Sequence, residues 1–486
     1  MTYVVEVHPY LDSASLFSKV ASQPWAMYLD SGITPLSPKT SAHADYDILA
    51  IKPRVTLVTQ DQLTTVSHGD VVEQTSADPL QLIRTYLDES VAPGDSAIGS
   101  YACSYLPGAI GYFAYDLARR FEKQDEIALN DELLPEMAIG VYDVVVVVDH
   151  KRKLTQLVLR VSEKGSQAYL DSQALQAQWR IVIEAELINH EQDQALDEGL
   201  EIEIEERLKS EPIQDNMNLQ YYSKCFNSVR NYTIEGDCYQ VNLAKRFTAK
   251  VAGNAWLTYS QLRSASPAPY GAYFNFPFAQ VLSNSPESFI QCRDRNVTTS
   301  PIKGTKPRDH SDPDNDLAIA KLLLASSKDR AENLMIVDLM RNDLSRCCEL
   351  GSVKVPKLFA LHSFANVHHL ISTITGVLKQ NLHVLDLFRS CFPGGSITGA
   401  PKIRAMQIIE KLEPHRRGLY CGSIVYVGMD GSLETNIAIR TMVIKDGIAR
   451  YSAGGGLVID SDVEEEYQEI IDKARMMNQA LSGDLN

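Results

Sequence analysis

Apolar positions recur at steps of three and four along residues 219–235, 316–344, 401–411 and 463–481, and that spacing predicts amphipathic helices there. Between them, β-branched and aromatic runs at 271–275, 280–282, 423–427, 437–444 and 447–452 predict strands. The last two flank Asp446-Gly447, a tight-turn signal that joins them as a hairpin. Upstream, short β-rich runs at 46–51, 55–59 and 141–148 are interrupted by turn formers such as Ser37-Pro38 and Pro93-Gly94. Strand and helix do not alternate regularly and no segment repeats, so an α+β chain with largely antiparallel sheet is expected. The final helix is the most regular. Val463, Tyr467, Ile470, Ala474, Met477 and Leu481 form one buried stripe, and Ser461 with Glu464 predicts a capping box at its start.

Composition narrows the function classes. The chain has 486 residues, which allows two to four ordinary domains, and 44% are hydrophobic against 22% charged, as in an ordered globular protein. Its 62 acidic and 46 basic residues leave a net charge of −16, a field that repels phosphate backbones and anionic membranes. An anionic substrate therefore needs its own local cations and N–H donors. Residues 191–206 carry eight acidic side chains and no Lys or Arg, which reads as a solvated boundary. We divide the sequence near residue 210, into an N-terminal region 1–210 and a catalytic region 211–486. No apolar run approaches the roughly 20 residues of a membrane span. The N-terminus has no secretory pattern, and the eight scattered cysteines form no CxxC pair, so free thiols in the cytoplasm are expected.

Candidate chemistry concentrates in the second region. Glu466, Glu469 and Lys473 share a face beside the buried stripe of the final helix, and Asp329 and Glu332 repeat the three-residue carboxylate spacing on another. Two such helices can share a hard cation, with magnesium the natural match for oxygen ligands and water; a surface Glu–Lys ladder explains the spacing equally well. The segment from Gly394 to Lys402 looks like a phosphate loop but lacks the Lys-Ser or Lys-Thr that would complete it. What remains, with Thr398, Gly399 and a proline placed for the first helical turn, is a loop of N–H groups suited to a carboxylate. Gly454, Gly455 and Gly456 read as a similar backbone nest, or as a plain loop between strands. Arg440 and Lys473 are candidate carboxylate anchors. One of His368 and His369 reads as a substrate contact, since adjacent residues diverge and no carboxylate or Cys ligand is near in sequence. Lys303 lies among turn formers, and acts as a nucleophile only if desolvated.

These pieces together resemble the chorismate-utilising enzymes, the family of anthranilate, aminodeoxychorismate, isochorismate and salicylate synthases. The resemblance is densest over residues 220–481. It rests on Gly236-Asp237-Cys238-Tyr239-Gln240-Val241-Asn242-Leu243, Ser285-Pro286-Glu287, Pro301-Ile302-Lys303-Gly304-Thr305, Asp338-Leu339-Met340-Arg341-Asn342-Asp343-Leu344, Val367-His368-His369-Leu370, the Gly394 loop, Ile439-Arg440 and the Glu466/Glu469/Lys473 helix. Trp25 to Ser31 and Gly108 to Phe113 extend it to the amidotransferase-partnered branch. The resemblance implies one composite α+β unit, two antiparallel sheets packed face to face with peripheral helices, in which the sequence halves interleave.

It also implies roles. Alanine follows Pro-Ile in anthranilate synthases, whereas lysine there, as at Lys303, marks the aminodeoxychorismate branch. Lys303 would attack ring carbon two of chorismate as the hydroxyl at carbon four leaves, ammonia would then add at carbon four and expel it, and Glu287 would be the general acid/base. Glu332 and Glu469 would hold Mg2+ directly, and Asp329 and Glu466 through water. Arg440, Lys473, Thr398, Gly399 and Gly454 to Gly456 would hold the substrate carboxylates, with His369 beside the ring. Asp329 is one methylene shorter than the usual glutamate, and Lys306 stands where arginine is commoner. The N-terminal region in this branch can hold tryptophan, for which Ser31, near Trp25 and Leu29, is the candidate contact. The chain shows no glutaminase nucleophile, so a separate glutamine amidotransferase subunit is the expected partner. The rivals are anthranilate formation, water addition to give isochorismate or salicylate, and a non-catalytic chorismate- or tryptophan-binding module. Intact Lys303, Glu287 and all four acids argue against a mere module.

Overall fold

The valine-rich run expected to be one strand is two, and the reason sets the architecture. Met137–Tyr142 and Val144–Asp149 are each fully buried, and Asp143 between them accepts from Arg54 at 3.2 Å and Arg160 at 3.1 Å. At that acid the chain passes from one sheet to the other. The computed structural model describes residues 3–33, 45–88, 103, 105–193, 207–363 and 367–483. The turns expected at Ser37-Pro38 and Pro93-Gly94, and residues 194–206 of the acidic segment, lie outside them; residues 191–193 close a long helix, Gln167–Asp193.

Within the described residues one sheet has 13 strands and the other 12, and every strand pairing is antiparallel. Both take strands from either side of residue 210. Ala26–Asp30 pairs with Tyr270–Phe276, Met27 opposite Phe274, and Gly108–Phe113 pairs with Ser423–Gly428, Gly111 opposite Val425. The facing surfaces form a shared core, with Met27, Val145, Phe274 and Val281 from one sheet against Ile110, Tyr112, Ala138 and Tyr426 from the other. Helices cover the outer faces. Trp179, Trp256, Ile408 and Ile470 seal one side, and Ile83, Ile336, Met340 and Phe388 the other.

Several boundaries differ from the sequence expectation. The 316–344 helix is two, Pro313–Ala325 and Ser327–Cys347, broken where Ser326 caps the second by accepting from the Asp329 N–H at 3.2 Å. The 437–444 strand is only Thr441–Lys445; residues 437–440 cross between it and Leu433–Asn436. The helix expected from residue 401 begins at Lys402, with Pro401 at the N-cap. At the last helix, Val463–Ser482, the cap is Asp462, which accepts from the N–H groups of Glu464 and Glu465. Ser461 donates instead to Glu466 at 2.7 Å, so the capping box is not formed.

Candidate active site

The catalytic lysine candidate is on a strand, not in a turn. Ile302–Pro307 pairs with Val367–Val377, Lys303 opposite Leu370 and Thr305 opposite His369, with a bulge between them at Gly304. Gly304 has φ +81°, and a Cβ there would meet the Asp329 carboxylate at 3.1 Å, so the bulge brings the acid-bearing helix against the lysine strand. The Lys303 ammonium donates to the Ser396 carbonyl at 3.1 Å.

Glu287, 6% exposed, follows the strand Ala279–Ser285. Burial pushes its pKa up, and the charge of Lys303, the nearby Ser396 hydroxyl and Ile302 N–H, and the charge of Lys473 only partly offset that. A carboxyl that keeps its proton more readily, beside a lysine, is equipped to protonate a leaving hydroxyl.

Arg440 sits where the chain crosses between strands, at φ +49°. Burial alone lowers its pKa, and among the described residues its guanidinium has no ion-pair partner. A desolvated cation without a counter-charge is an anion site awaiting its anion. His369 lies near it: burial and then Arg440 depress its pKa to about 4, so the imidazole is neutral at pH 7. Its Nδ1 pairs with the Thr305 hydroxyl at 2.8 Å. His368 has a carboxylate after all. Asp316, distant in sequence, meets its Nε2 at 2.9 Å and binds Arg308 at 2.8 Å, tying the Pro313–Ala325 helix to the two strands.

The glycine elements behave differently from expectation. Gly454, Gly455 and Gly456 are no nest; they lie in the strand Ile448–Leu457, opposite Ala244, Leu243 and Asn242. Their surroundings leave no room for a side chain: a Cβ at Gly454 would come within 2.7 Å of the Leu243 carbonyl. A Cβ at Gly455 would come within 2.9 Å of Glu466 Oε2, and one at Gly456 within 2.1 Å of Gln240 Nε2. Lys473 is tied to this strand, donating to the Gly454 carbonyl at 2.9 Å and pairing with Glu469 at 2.7 Å. Thr398 is fully buried and donates to the Gly394 carbonyl at 2.9 Å, while Gly399 pairs with Val241. Arg417 anchors this loop from behind, donating to Ile397 O at 2.8 Å and Asn242 O at 2.8 Å while held by Glu413.

The four acids feel one another's charge. Burial raises the pKa of Glu332, and the charges of Asp329 and Glu466 add to it against Lys303 and Lys328. Glu466, 6% exposed, is likewise raised by burial and by Glu469. Glu469 goes the other way: burial pushes it up, but Lys473 outweighs that and it is net lowered. Lys328, which no sequence pattern singled out, lies 3.9 Å from Glu466. Among the described residues no three Asp, Glu, His or Cys side chains converge into a preformed metal cluster. The donor set nonetheless fits a hard cation: oxygen ligands only, from two helices, mutually repelling until a positive charge enters.

A pocket separate from these residues is lined by Leu29, Ser31, Tyr46, Ile48, Tyr105 and Asn436 among others. Ser31 donates through both its N–H and its hydroxyl to Asp47, at 2.7 and 2.6 Å. Burial would raise Asp47, but His150 outweighs it and holds the carboxyl at about 2. Trp25 is outside this lining and packs edge-on against Phe276 at 5.0 Å.

A model of the chorismate binding enzyme family matches residues 39–479. The chain belongs to that family. It is 43% identical over 473 residues to aminodeoxychorismate synthase component 1 of Klebsiella aerogenes, covering 95% of each chain. To anthranilate synthase component 1 of Geobacillus stearothermophilus it is 35% identical over 382 residues, 78% of this chain and 75% of that one. The crystal structure of anthranilate synthase component I from Streptococcus pneumoniae superposes with a TM-score of 0.75 at 30% identity, covering 90% of this chain and 93% of that one. Within that family the chain carries Lys303 and Glu287 coupled by charge, and His369 coupled to Arg440.

Proposed function

We propose that the chain converts chorismate and ammonia to 4-amino-4-deoxychorismate. The observation that carries this reading is Lys303, whose ammonium lies 3.1 Å from the Ser396 carbonyl and whose charge acts on Glu287, a carboxyl that burial makes easier to protonate. The 43% relative named as aminodeoxychorismate synthase component 1 supports it over the 35% anthranilate relative. Lys303 first gives a proton to Glu287. The freed amine attacks ring carbon two, the ring double bond shifts, and the hydroxyl at carbon four leaves as water on taking the proton from Glu287. Ammonia then adds at carbon four, the double bond returns, and the lysine amine is expelled. Two allylic steps replace one hard substitution.

Arg440 supplies the cation for one substrate carboxylate, and Lys473 positions the Gly454 to Gly456 strand beside it. Thr398 and Gly399 shape the loop that faces the substrate, and neutral His369 lies beside the ring without adding charge. Glu332 and Glu469, with Asp329 and Glu466 through water, would hold Mg2+, which when bound neutralises the ring carboxylate. Ammonia comes from a glutamine amidotransferase subunit, a reading that the "component 1" of the relatives' names supports. The Ser31 pocket takes tryptophan. Eight free thiols, with no helix long and apolar enough to cross a membrane among the described residues, support a cytoplasmic enzyme.

The test is product analysis. The chain with chorismate, magnesium and ammonium is expected to give 4-amino-4-deoxychorismate on chromatography with mass detection; anthranilate would overturn the reading.

A further inference from the structure

No sequence pattern singles out Asn333 or Ser372, yet both are polar side chains with no exposed surface, placed where the acid-bearing helix meets the strand that pairs with that of Lys303. Asn333 directly follows Glu332 on Ser327–Cys347, and Ser372 lies on Val367–Val377. Ser372 Oγ accepts from the Phe359 N–H at 3.0 Å and donates to Asn333 Oδ1 at 2.5 Å. That orients the amide, whose Nδ2 donates to the Leu370 carbonyl at 3.4 Å. Leu370 is the residue opposite Lys303, and the Ser372 N–H donates to the Pro301 carbonyl at 3.3 Å. Two further contacts hold the same stretch of helix. A Cβ on Gly304 would meet the Asp329 carboxylate at 3.1 Å, and the Arg330 guanidinium lies 5.1 Å from the centre of the Phe359 ring. Phe359 has φ +54°, a strained backbone for a bulky residue, and its N–H is the one that Ser372 takes up.

We propose that Asn333 and Ser372 are positioning residues that hold the magnesium-binding acids in register with the nucleophile. The chain of bonds runs one way, from the Phe359 N–H through the Ser372 hydroxyl and the Asn333 amide to the Leu370 carbonyl. At a fully buried site, breaking one link leaves an unpaired polar group, which the helix relieves by shifting on the sheet. Asp329 and Glu332 move with the helix, while Lys303 stays on its strand. The side chains that would hold Mg2+ are thus set in place by an amide and a hydroxyl that are not themselves its ligands. This inference rests on the roles of Glu332 and Lys303 proposed above.

The probe is Mn2+, whose electron paramagnetic resonance signal reports the free ion without turnover. In the full-length chain, Ser372→Ala and Asn333→Leu are each expected to weaken Mn2+ binding about tenfold, as for a lost supporting contact at a metal site. The double variant should be no weaker than the weaker single, since both substitutions break one chain of bonds. With ammonium as nitrogen donor, the magnesium needed for half-maximal rate should rise by the same factor, while KM for chorismate at saturating magnesium stays within about twofold. Ser372→Cys, a weak donor of similar size, should fall between, and it carries the test if the alanine variant does not fold. A lowered thermal midpoint with Mn2+ affinity and magnesium requirement within about twofold of wild type in every folded variant would make the pair merely structural and overturn the proposal. Failure of the underlying reading is separable: the wild-type chain would then bind no Mn2+, or Glu332→Gln would bind it as tightly as wild type.

Discussion

Arg417 offers the sharpest test of how the substrate loop is held. Its guanidinium is 2% exposed and makes four hydrogen bonds, two to Glu413 and one each to Ile397 O and Asn242 O. Burial alone would disfavour the cation; Glu413 reverses that and raises its pKa. Replacing it with methionine, of similar length and uncharged, leaves the Glu413 carboxylate buried without its cation and two carbonyls without their donor. Breaking a buried pair from one side costs about 3–5 kcal/mol. Glu413 keeps the Ala244 N–H at 2.9 Å, which recovers part of this, so we expect about 3–4 kcal/mol for Arg417→Met. Adding Glu413→Gln removes the stranded charge, and the double variant should recover at least 1 kcal/mol relative to the sum of the singles. The assay is urea unfolding of the four proteins, read as midpoints at equal slope. In Arg417→Met, KM for chorismate should also rise, because the Ile397 carbonyl anchors the loop. A cost below about 1 kcal/mol, or strict additivity, would refute the reasoning that this ion pair carries the loop.

Other expectations follow from single contacts. Arg440→Gln should raise KM for chorismate about a hundredfold with little loss of stability, since among the described residues the guanidinium has no ion-pair partner to abandon; paired steady-state kinetics and thermal unfolding check this. Because His369 titrates at about 4 in the fold and near 6.5 unfolded, the unfolded state binds the extra proton between those values. Its stabilising share is therefore complete above pH 6.5 and lost as pH falls towards 4, and His369→Gln should flatten the stability curve across that window by about 3 kcal/mol, measured by denaturant unfolding at pH 4.5 and 7. Gly399→Ala should destabilise by at least 2 kcal/mol, because φ is +138° and the new Cβ would lie 2.1 Å from Gln240 O; thermal unfolding against a Gly431→Ala control, which has open space, tests it.

Periodicity made the helices legible and residue types exposed much of the chemistry, but contacts between distant segments stayed hidden. The stripe on Val463–Ser482 could be read because packing on one face imposes a period near 3.6. Residues 437–444 read as one strand because apolar residues run on, and nothing in that run announces that Arg440 turns to φ +49°. Gly454 to Gly456 looked like a loop since glycine's usual meaning is conformational freedom. Here it is space, taken up by Glu466 and Gln240. The Asp316–His368 and Glu413–Arg417 pairs differ in kind: the first spans 52 residues, while the second is a surface-like four-residue spacing that folding happens to bury. The contact of Lys303 with Ser396 was invisible because it is made to a backbone carbonyl, which every residue has.

In the proposed reaction Lys303 bonds to the ring before ammonia does. Intact-protein mass spectrometry on the chain with chorismate and magnesium, ammonium withheld, tests it most directly. We expect a protein adduct of chorismate less one water, mapped to Lys303 by peptide analysis, absent in Lys303→Ala and discharged as 4-amino-4-deoxychorismate when ammonium is added. Product formation at the wild-type rate by Lys303→Ala, with no adduct in either protein, would contradict it.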